Sequence, residues 1–339
     1  VALTLGIESS CDDTAAAIVA DGRVVLSSVA SSQDDIHSLY GGIVPELASR
    51  RHIEMIAPVV EAALEKAGVS LSDIGGIGVT DGPGLVGSIL VGLSFAKAIA
   101  YARKIPFVGV NHIKAHALAA FLEKKSAPRE APEFPFVALV VSGGHTTLMK
   151  VSGFDEFLVL GETRDDAAGE AFDKAAKLMG LGFPGGVAID RLAKKGNPSA
   201  VRFTRPYLST GNLDFSFSGL KTAVVSHIKS LGREPLDSEL PDIAASFQEA
   251  VADVLVKKTL WALEATGISR AVVSGGVACN SRLREKLAEA ESASGIKLFI
   301  PPPEFCSDNA AMVALSGHHQ LEKGERAGLD LNAEPNWEG

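Results

Sequence analysis

The sequence predicts an α/β protein of two lobes, each opening on the same strand–turn–strand module. Three observations predict it. Residues 3–7 are an apolar run, followed by a polar turn that carries Thr14 and a second apolar run at 15–19. Residues 136–141, the turn 142–147 and residues 148–151 repeat that layout. Between the copies lies the proline- and charge-rich stretch 123–135, the composition of a linker. A length of 339 residues suits two domains, and 46% hydrophobic content excludes wholesale disorder.

The elements follow in order. After the strands at 3–7 and 15–19, Asp21-Gly22 signals a hairpin into a third strand at 24–29. A three-stranded meander is unlike a Rossmann start, where a helix follows the first strand. The spacing predicts a helix over 44–67 ended by Gly68, a strand over 74–80 and a turn at 81–84. An apolar helix over 85–101, a strand over 106–110 and a helix over 112–123 come next. In the second copy, residues 271–273, Ser274-Gly275-Gly276 and a helix over 280–291 give strand, glycine turn and helix again. Asp308 is expected to open a helix over 309–317. This organisation places the lobes at 1–130 with 309–330 and at 131–308, with a cleft between them.

Composition narrows the function. A net charge of -9 argues against a stand-alone nucleic-acid binder that grips by charge. A local basic patch on an acidic protein still permits RNA. Cys11, Cys279 and Cys306 are an odd, sparse set, which fits a reducing compartment and lacks zinc-finger spacing. The first charged residue is Glu8, so a basic targeting region is missing, and the 85–101 helix contains Lys97 and is short for a bilayer. The expectation is a cytoplasmic protein with no membrane segment.

Five groups of residues carry chemistry. His112 and His116 stand at i and i+4, so on a helix they share a face at the spacing for one metal ion. The plainer reading is two surface or capping histidines. Ile113 stands where a zincin protease has its Glu, which argues against a metallopeptidase. Asp308 would supply an oxygen ligand, or else cap its helix. Two His and a carboxylate leave open positions on an ion. Ser142-Gly143-Gly144 after a strand lets backbone N–H groups approach a phosphate, or is a plain tight turn. Its echo at 274–276 precedes Asn280, which could bond a ribose or base. In the run 165–174, the small Gly169 and Ala171 suit close ligand approach, and Asp173 with Lys174 could be a surface pair. Glu8, Asp12 and Asp13 repel one another unless something compensates, which makes a general base or a solvated acidic turn. The stretch 194–221 interleaves Arg202, Arg205 and Lys221 with Phe203, Tyr207, Phe215 and Phe217. That is the composition of an RNA contact, or of a long loop tied down by buried aromatics.

A hairpin phosphate loop in each of two lobes resembles the duplicated actin/hexokinase/Hsp70-like fold, whose nucleotide sits in the interlobe cleft. The strings 6–12, 42–50, 82–87, 112–116, 141–145, 166–174, 213–221 and 307–309 stand in the order found in one family. Over about residues 3–325 the chain resembles the bacterial TsaD group, the tRNA N6-adenosine threonylcarbamoyltransferases, formerly labelled glycoproteases. The resemblance implies transfer of threonylcarbamoyl from threonylcarbamoyl-AMP to N6 of adenosine 37, in tRNAs reading codons that begin with A, with release of AMP. It implies one divalent ion, Fe2+ ahead of Zn2+, on His112, His116 and Asp308. It carries substrate binding to Val140, Val141, Ser142, Gly143, Gly144, Asp173, Gly186, Asp190 and Asn280. Archaeal relatives have a Tyr at the place of Val140, which implies one fewer protein ligand here. Some bacterial relatives have a smaller polar residue at the place of Asp190. The family works with a TsaB paralogue and a TsaE ATPase, while TsaC-type enzymes make the donor; such partners let an acidic subunit act on tRNA. Asp12 is the expected acceptor of the amine proton. Two rivals stand beside this reading: an ATP-dependent small-molecule kinase of the same superfold, using Asp12 or Asp173 as base, and a non-catalytic partner-binding paralogue, expected to lack the His pair.

Overall fold

In the computed structural model, which describes residues 2–206 and 211–336, the chain opens on β1 (Leu3–Glu8), β2 (Thr14–Ala20) and β3 (Val24–Ser31). Asp21 and Gly22 have φ of 50° and 63°, the left-handed pair a two-residue hairpin needs. Every residue of β2 is buried, because the helices Pro45–Ala67 and Ala310–Glu322 both pack against it. After the short α1 (Asp34–His37) comes α2 (Pro45–Ala67). Pro45 occupies its first turn, where a missing N–H is harmless. Gly68, at φ 67°, turns the chain out of it. Then follow β4 (Gly76–Gly82), α3 (Val86–Arg103), β5 (Phe107–Asn111), α4 (His112–Leu118) and β6 (Glu123–Lys124). The helix expected over 112–123 is therefore shorter. A 3-10 turn follows it at Ala119–Phe121, and the head of the expected linker is drawn into the sheet beside β3.

The chain continues through β7 (Phe136–Val141), β8 (Thr146–Val151) and β9 (Phe157–Glu162), then α5 (Ala168–Leu178) and α6 (Gly185–Ala193). Next are α7 (Ser218–Ser230), α8 (Leu240–Thr266), β10 (Arg270–Ser274), α9 (Ser281–Ser294) and β11 (Lys297–Phe299). It ends on α10 (Pro303–Cys306) and α11 (Ala310–Glu322). The sheets run β5-β4-β1-β2-β3-β6 and β11-β10-β7-β8-β9. The first three strands of each copy form an antiparallel meander, and the next two lie parallel to the first. One module has thus been used twice.

Contacts divide the chain into one unit of Val1–Pro132, Gly153–Glu156 and Glu304–Gly339 and another of Glu133–Ser152 and Phe157–Pro303. The first unit resumes at Glu304 rather than at 309, so Asp308 lies in the same unit as His112 and His116. Its core joins Leu5, Ile7, Ile18, Ile77 and Val79 of the sheet to Ile56 and Val59 of α2 and Ile89, Leu93 and Ala96 of α3. By length and composition α3 could cross a membrane, but this face of it is packed in that core. On the other side, α11 lies close against β1 and β4. A Cβ on Gly6 would collide with the Ala310 carbonyl oxygen, and one on Gly78 would come within 2.6 Å of the Val313 oxygen.

The segment after α11 returns to the sheet end: the Glu334 N–H donates to the Asp81 carbonyl at 2.7 Å. Burial, and then the Glu334 charge, push the Asp81 carboxyl up to about 6. Its folded pKa is above its unfolded one, so the folded chain binds more protons between pH ~4 and ~6. Stability therefore falls as pH rises through that window. Asp81→Asn should raise stability at pH 7.5 by about 1–3 kcal/mol, with the gain fading towards pH 4. Thermal melts at the two pH values check this.

Candidate metal centre and phosphate loop

The candidate metal centre is built by two helix starts. Asn111 caps α4, its Oδ1 accepting from the N–H groups of Ile113 and Lys114 at 3.0 Å each. The helix therefore begins at His112, and His116 lies one turn on, with the two rings edge to face at 4.6 Å between centroids. At the second start Asn309 is the cap, accepting from the Met312 N–H at 3.0 Å. The expectation that Asp308 opens this helix is off by one residue, and the difference matters. With Asn309 serving the helix end, the Asp308 carboxylate is turned to the histidines. Its Oδ1 lies 3.0 Å from His116 Nε2 and 3.6 Å from His112 Nε2. One donor atom from each residue falls within 4.8 Å of the others, in the one such group among the described residues.

The electrostatics suit a cation. Both His rings are buried. Burial would lower His112, but the Glu8 and Asp308 carboxylates overcome it and push His112 up to about 9. Burial would raise Glu8; His112 overcomes that and holds it below its usual range. Burial keeps His116 below its ordinary value. His112 thus sits between two carboxylates, where positive charge is favoured. Two imidazole nitrogens and a carboxylate oxygen converging there fit a divalent transition metal.

The carboxylates of the first turn part company. Glu8 Oε2 lies 2.9 Å from His112 Nδ1, a role the sequence reading missed. Asp12 and Asp13 stay in the turn, and neither is freely solvated. Burial, then Asp308, raises Asp12; burial, Asp308 and Asp12 push Asp13 up to about 7. The turn is held by His52 of α2, whose Nε2 donates to the Cys11 carbonyl at 3.0 Å while Nδ1 accepts from Thr14 Oγ1 at 2.7 Å.

In the second unit the turn expected to meet a phosphate follows β7. The Ser142 N–H donates to the His145 carbonyl at 2.8 Å, and the His145 N–H to Ser142 Oγ at 3.2 Å. The Cβ positions of Gly143 and Gly144 face open space. Val140 and Val141 are fully buried, so their outward offering is backbone alone. Gly169 is small for a reason other than a ligand: its N–H donates to the Ser142 carbonyl at 3.1 Å, and a Cβ would come within 2.6 Å of that oxygen. Helix α5 thereby abuts the loop.

Asp173 and Lys174 do not pair. Asp173 accepts from the Gly185 N–H at 2.7 Å and starts α6, while Lys174 reaches Asp166 at 2.6 Å and Glu170 at 2.8 Å. Gly186, one residue on, has only Phe172 nearby, at 3.9 Å from its Cβ position. Asp190 and Asn280 meet at the start of α9. Asp190 Oδ1 accepts from Ser281 N–H at 3.0 Å and Oγ at 2.7 Å. Asn280 accepts from the Leu283 N–H at 3.0 Å and donates to Gln248 at 2.8 Å. Both bonds hold the fold: the first caps α9 and the second ties it to α8.

The stretch 194–221 departs from an aromatic RNA platform. Phe203, Phe215 and Phe217 are buried and cannot stack on bases. Arg205 is paired with Asp253 at 2.8 Å. Arg202 and Lys221 are exposed, and Tyr207 lies outside the described residues. The string 213–221 had no mechanical meaning in sequence. Its Phe217 and Ser218 N–H groups donate to Asp165 at 2.8 and 3.2 Å, and the Ser218 hydroxyl donates at 2.6 Å, which starts α7. Asp165 lies 52 residues before Phe217.

A family model described as TsaD, tRNA N6-adenosine threonylcarbamoyltransferase, matches residues 24–315. A Geobacter protein (strain M21) named tRNA N6-adenosine threonylcarbamoyltransferase is 57% identical over 338 residues, 99% of this chain and 96% of that one. A Syntrophus aciditrophicus protein of the same name is 56% identical over 335 residues, 99% and 97% of the two chains. Among solved structures the chain is similar to T. kodakarensis HypF, with TM-score 0.64 at 15% identity over 95% of this chain and 48% of that one. It is also similar to a ROK hexokinase from Thermus thermophilus, with TM-score 0.50 at 19% identity over 95% and 99%. At such identities these structures speak for the fold, and it is the expected actin/hexokinase-like one. The family match and the full-length relatives together show that the chain belongs to the TsaD family.

Proposed function

We propose that this chain transfers the threonylcarbamoyl group of threonylcarbamoyl-AMP to N6 of adenosine 37 in tRNAs that read codons beginning with A. The observation that carries the reading is the buried His112–His116–Asp308 group in a chain of that family, since a partner-binding paralogue has no use for it. The donor is a mixed anhydride. The adenine N6 forms a bond to its carbamoyl carbon, the bond from that carbon to the phosphate oxygen breaks, AMP leaves with the electron pair, and N6 gives up a proton. Asp12 is assigned to take it: burial and the nearby Asp308 raise its carboxyl above the usual range, which makes it a stronger base. His112, His116 and Asp308 would hold one divalent ion, iron ahead of zinc on this donor set. When bound, the ion supplies Lewis-acid polarisation of a carbonyl.

In the second unit, the backbone of Val140–Gly144 is assigned to the phosphate, with Gly143 and Gly144 leaving room for it. Asp173 and Gly186 set the α6 start beside the nucleotide. Asp190 and Asn280 are assigned to the nucleoside, through the Asp190 carboxylate, whose Oδ2 lies 3.6 Å from Lys194 Nζ, and the second amide hydrogen of Asn280. A TsaB paralogue and a TsaE ATPase complete the system in the cytoplasm and share the tRNA contact with the exposed Arg202 and Lys221.

Asp12→Asn tests the base. Transfer should fall at least about a hundredfold, with metal content and donor binding retained. A full rate in a variant that holds metal and donor sinks the assignment.

A further inference from the structure

We infer that Glu8 is a positioning residue for the metal centre: its carboxylate fixes the His112 ring so that Nδ1 carries the hydrogen and Nε2 faces the ion. This rests on the reading that His112, His116 and Asp308 hold a metal.

Three observations carry it. Glu8 Oε2 lies 2.9 Å from His112 Nδ1, and the other ring nitrogen is 3.6 Å from Asp308. An ionised carboxylate only accepts, so the ring nitrogen beside it must be the donor. Ser10 Oγ is also 3.3 Å from Nδ1, farther away and uncharged. Second, the carboxylate is itself clamped. Oε2 accepts from the Thr80 hydroxyl at 2.6 Å and Oε1 from the Ser10 N–H at 2.5 Å. Glu8 is 1% exposed, so water does not compete. Third, the frame is rigid. Glu8 ends β1, Thr80 lies in β4, and His112 follows β5. These strands are adjacent and parallel, paired through Ile7 with Val79 and Thr80 with Val110. Their ends carry the three groups at one sheet edge.

A carboxylate on the far nitrogen of a ligating imidazole orients the ring and raises its basicity, and such partners typically change metal affinity by about 10–100-fold. Their loss should therefore be read in binding before it is read in rate.

The test is titration of the metal-free full chain with Zn2+ alone against a competing chelator, with circular dichroism melts as the fold check. Glu8→Gln should weaken Zn2+ about tenfold and Glu8→Ala up to about a hundredfold, at unchanged stoichiometry. Thr80→Val, which removes only a support of Glu8, should lose less. In the Zn2+-loaded wild-type chain, nitrogen-15 spectra of labelled histidine should show the hydrogen of His112 on Nδ1. That measurement holds even if the Glu8 variants fail to fold. Equal Zn2+ affinity in a folded Glu8→Gln chain, or a hydrogen on Nε2 in the wild type, overturns the inference while leaving the metal site standing. A wild-type chain that binds no Zn2+ at His112 overturns both.

Discussion

The doubly substituted chain His112→Ala with His116→Ala should purify without a tightly held divalent ion and lose threonylcarbamoyl transfer by at least about a thousandfold. The double change leaves Asp308 alone of the three converging donors. A single carboxylate does not hold a transition metal against water, and Lewis-acid stabilisation contributes several kcal/mol to such reactions. His116→Ala is the cleaner arm for folding. It leaves the buried Glu8–His112 pair intact, whereas removing His112 strands a buried carboxylate. Elemental analysis of the purified chains and nucleoside mass spectrometry read the two losses separately. A variant that loses the ion and still transfers at the normal rate would remove the ion from the chemistry.

Gly6→Ala should destabilise the first unit by about 3 kcal/mol or more. The added Cβ meets the Ala310 carbonyl oxygen, and lies 2.7 Å from Ala314 N and 2.9 Å from Ala314 Cβ. Two of these are helix backbone and cannot turn aside. Relief requires α11 to move off the sheet. Asp308 immediately precedes the cap of that helix, so metal affinity should fall with the melting temperature. Gly144→Ala is the contrast: its Cβ position faces open space, and its melting point should stay near that of the wild type. Equal melting points for both variants would show that α11 does not lie this close to β1.

What the sequence disclosed depended on how local the cause was. The His112–His116 pair was legible because helical spacing alone sets it. The Asp21-Gly22 hairpin and the Gly68 stop were legible because a left-handed backbone selects those residues. The duplication was legible as a repeated layout, although β9 and α8 went unread within it. The Glu8–His112 contact was not legible. It joins residues 104 positions apart and depends on β1, β4 and β5 being neighbours. Gly169 showed the same limit: its smallness pointed to close approach, but not to the Ser142 backbone as what approaches. Asp308 was open to two readings, as a ligand or as the cap of its helix. Capping and ligation compete for one carboxylate, and the neighbouring Asn309 resolves the competition.

The most direct measurement is the transfer reaction itself. The purified chain, with the proposed TsaB-type and TsaE-type partners, is mixed with synthetic threonylcarbamoyl-AMP and unmodified tRNA, and the nucleosides are analysed by mass spectrometry. The account predicts threonylcarbamoyl-adenosine together with AMP. It is contradicted if no modified adenosine forms with partners shown to be active alongside another catalytic subunit, and all the more so if the chain instead turns over ATP on a small hydroxyl compound without tRNA.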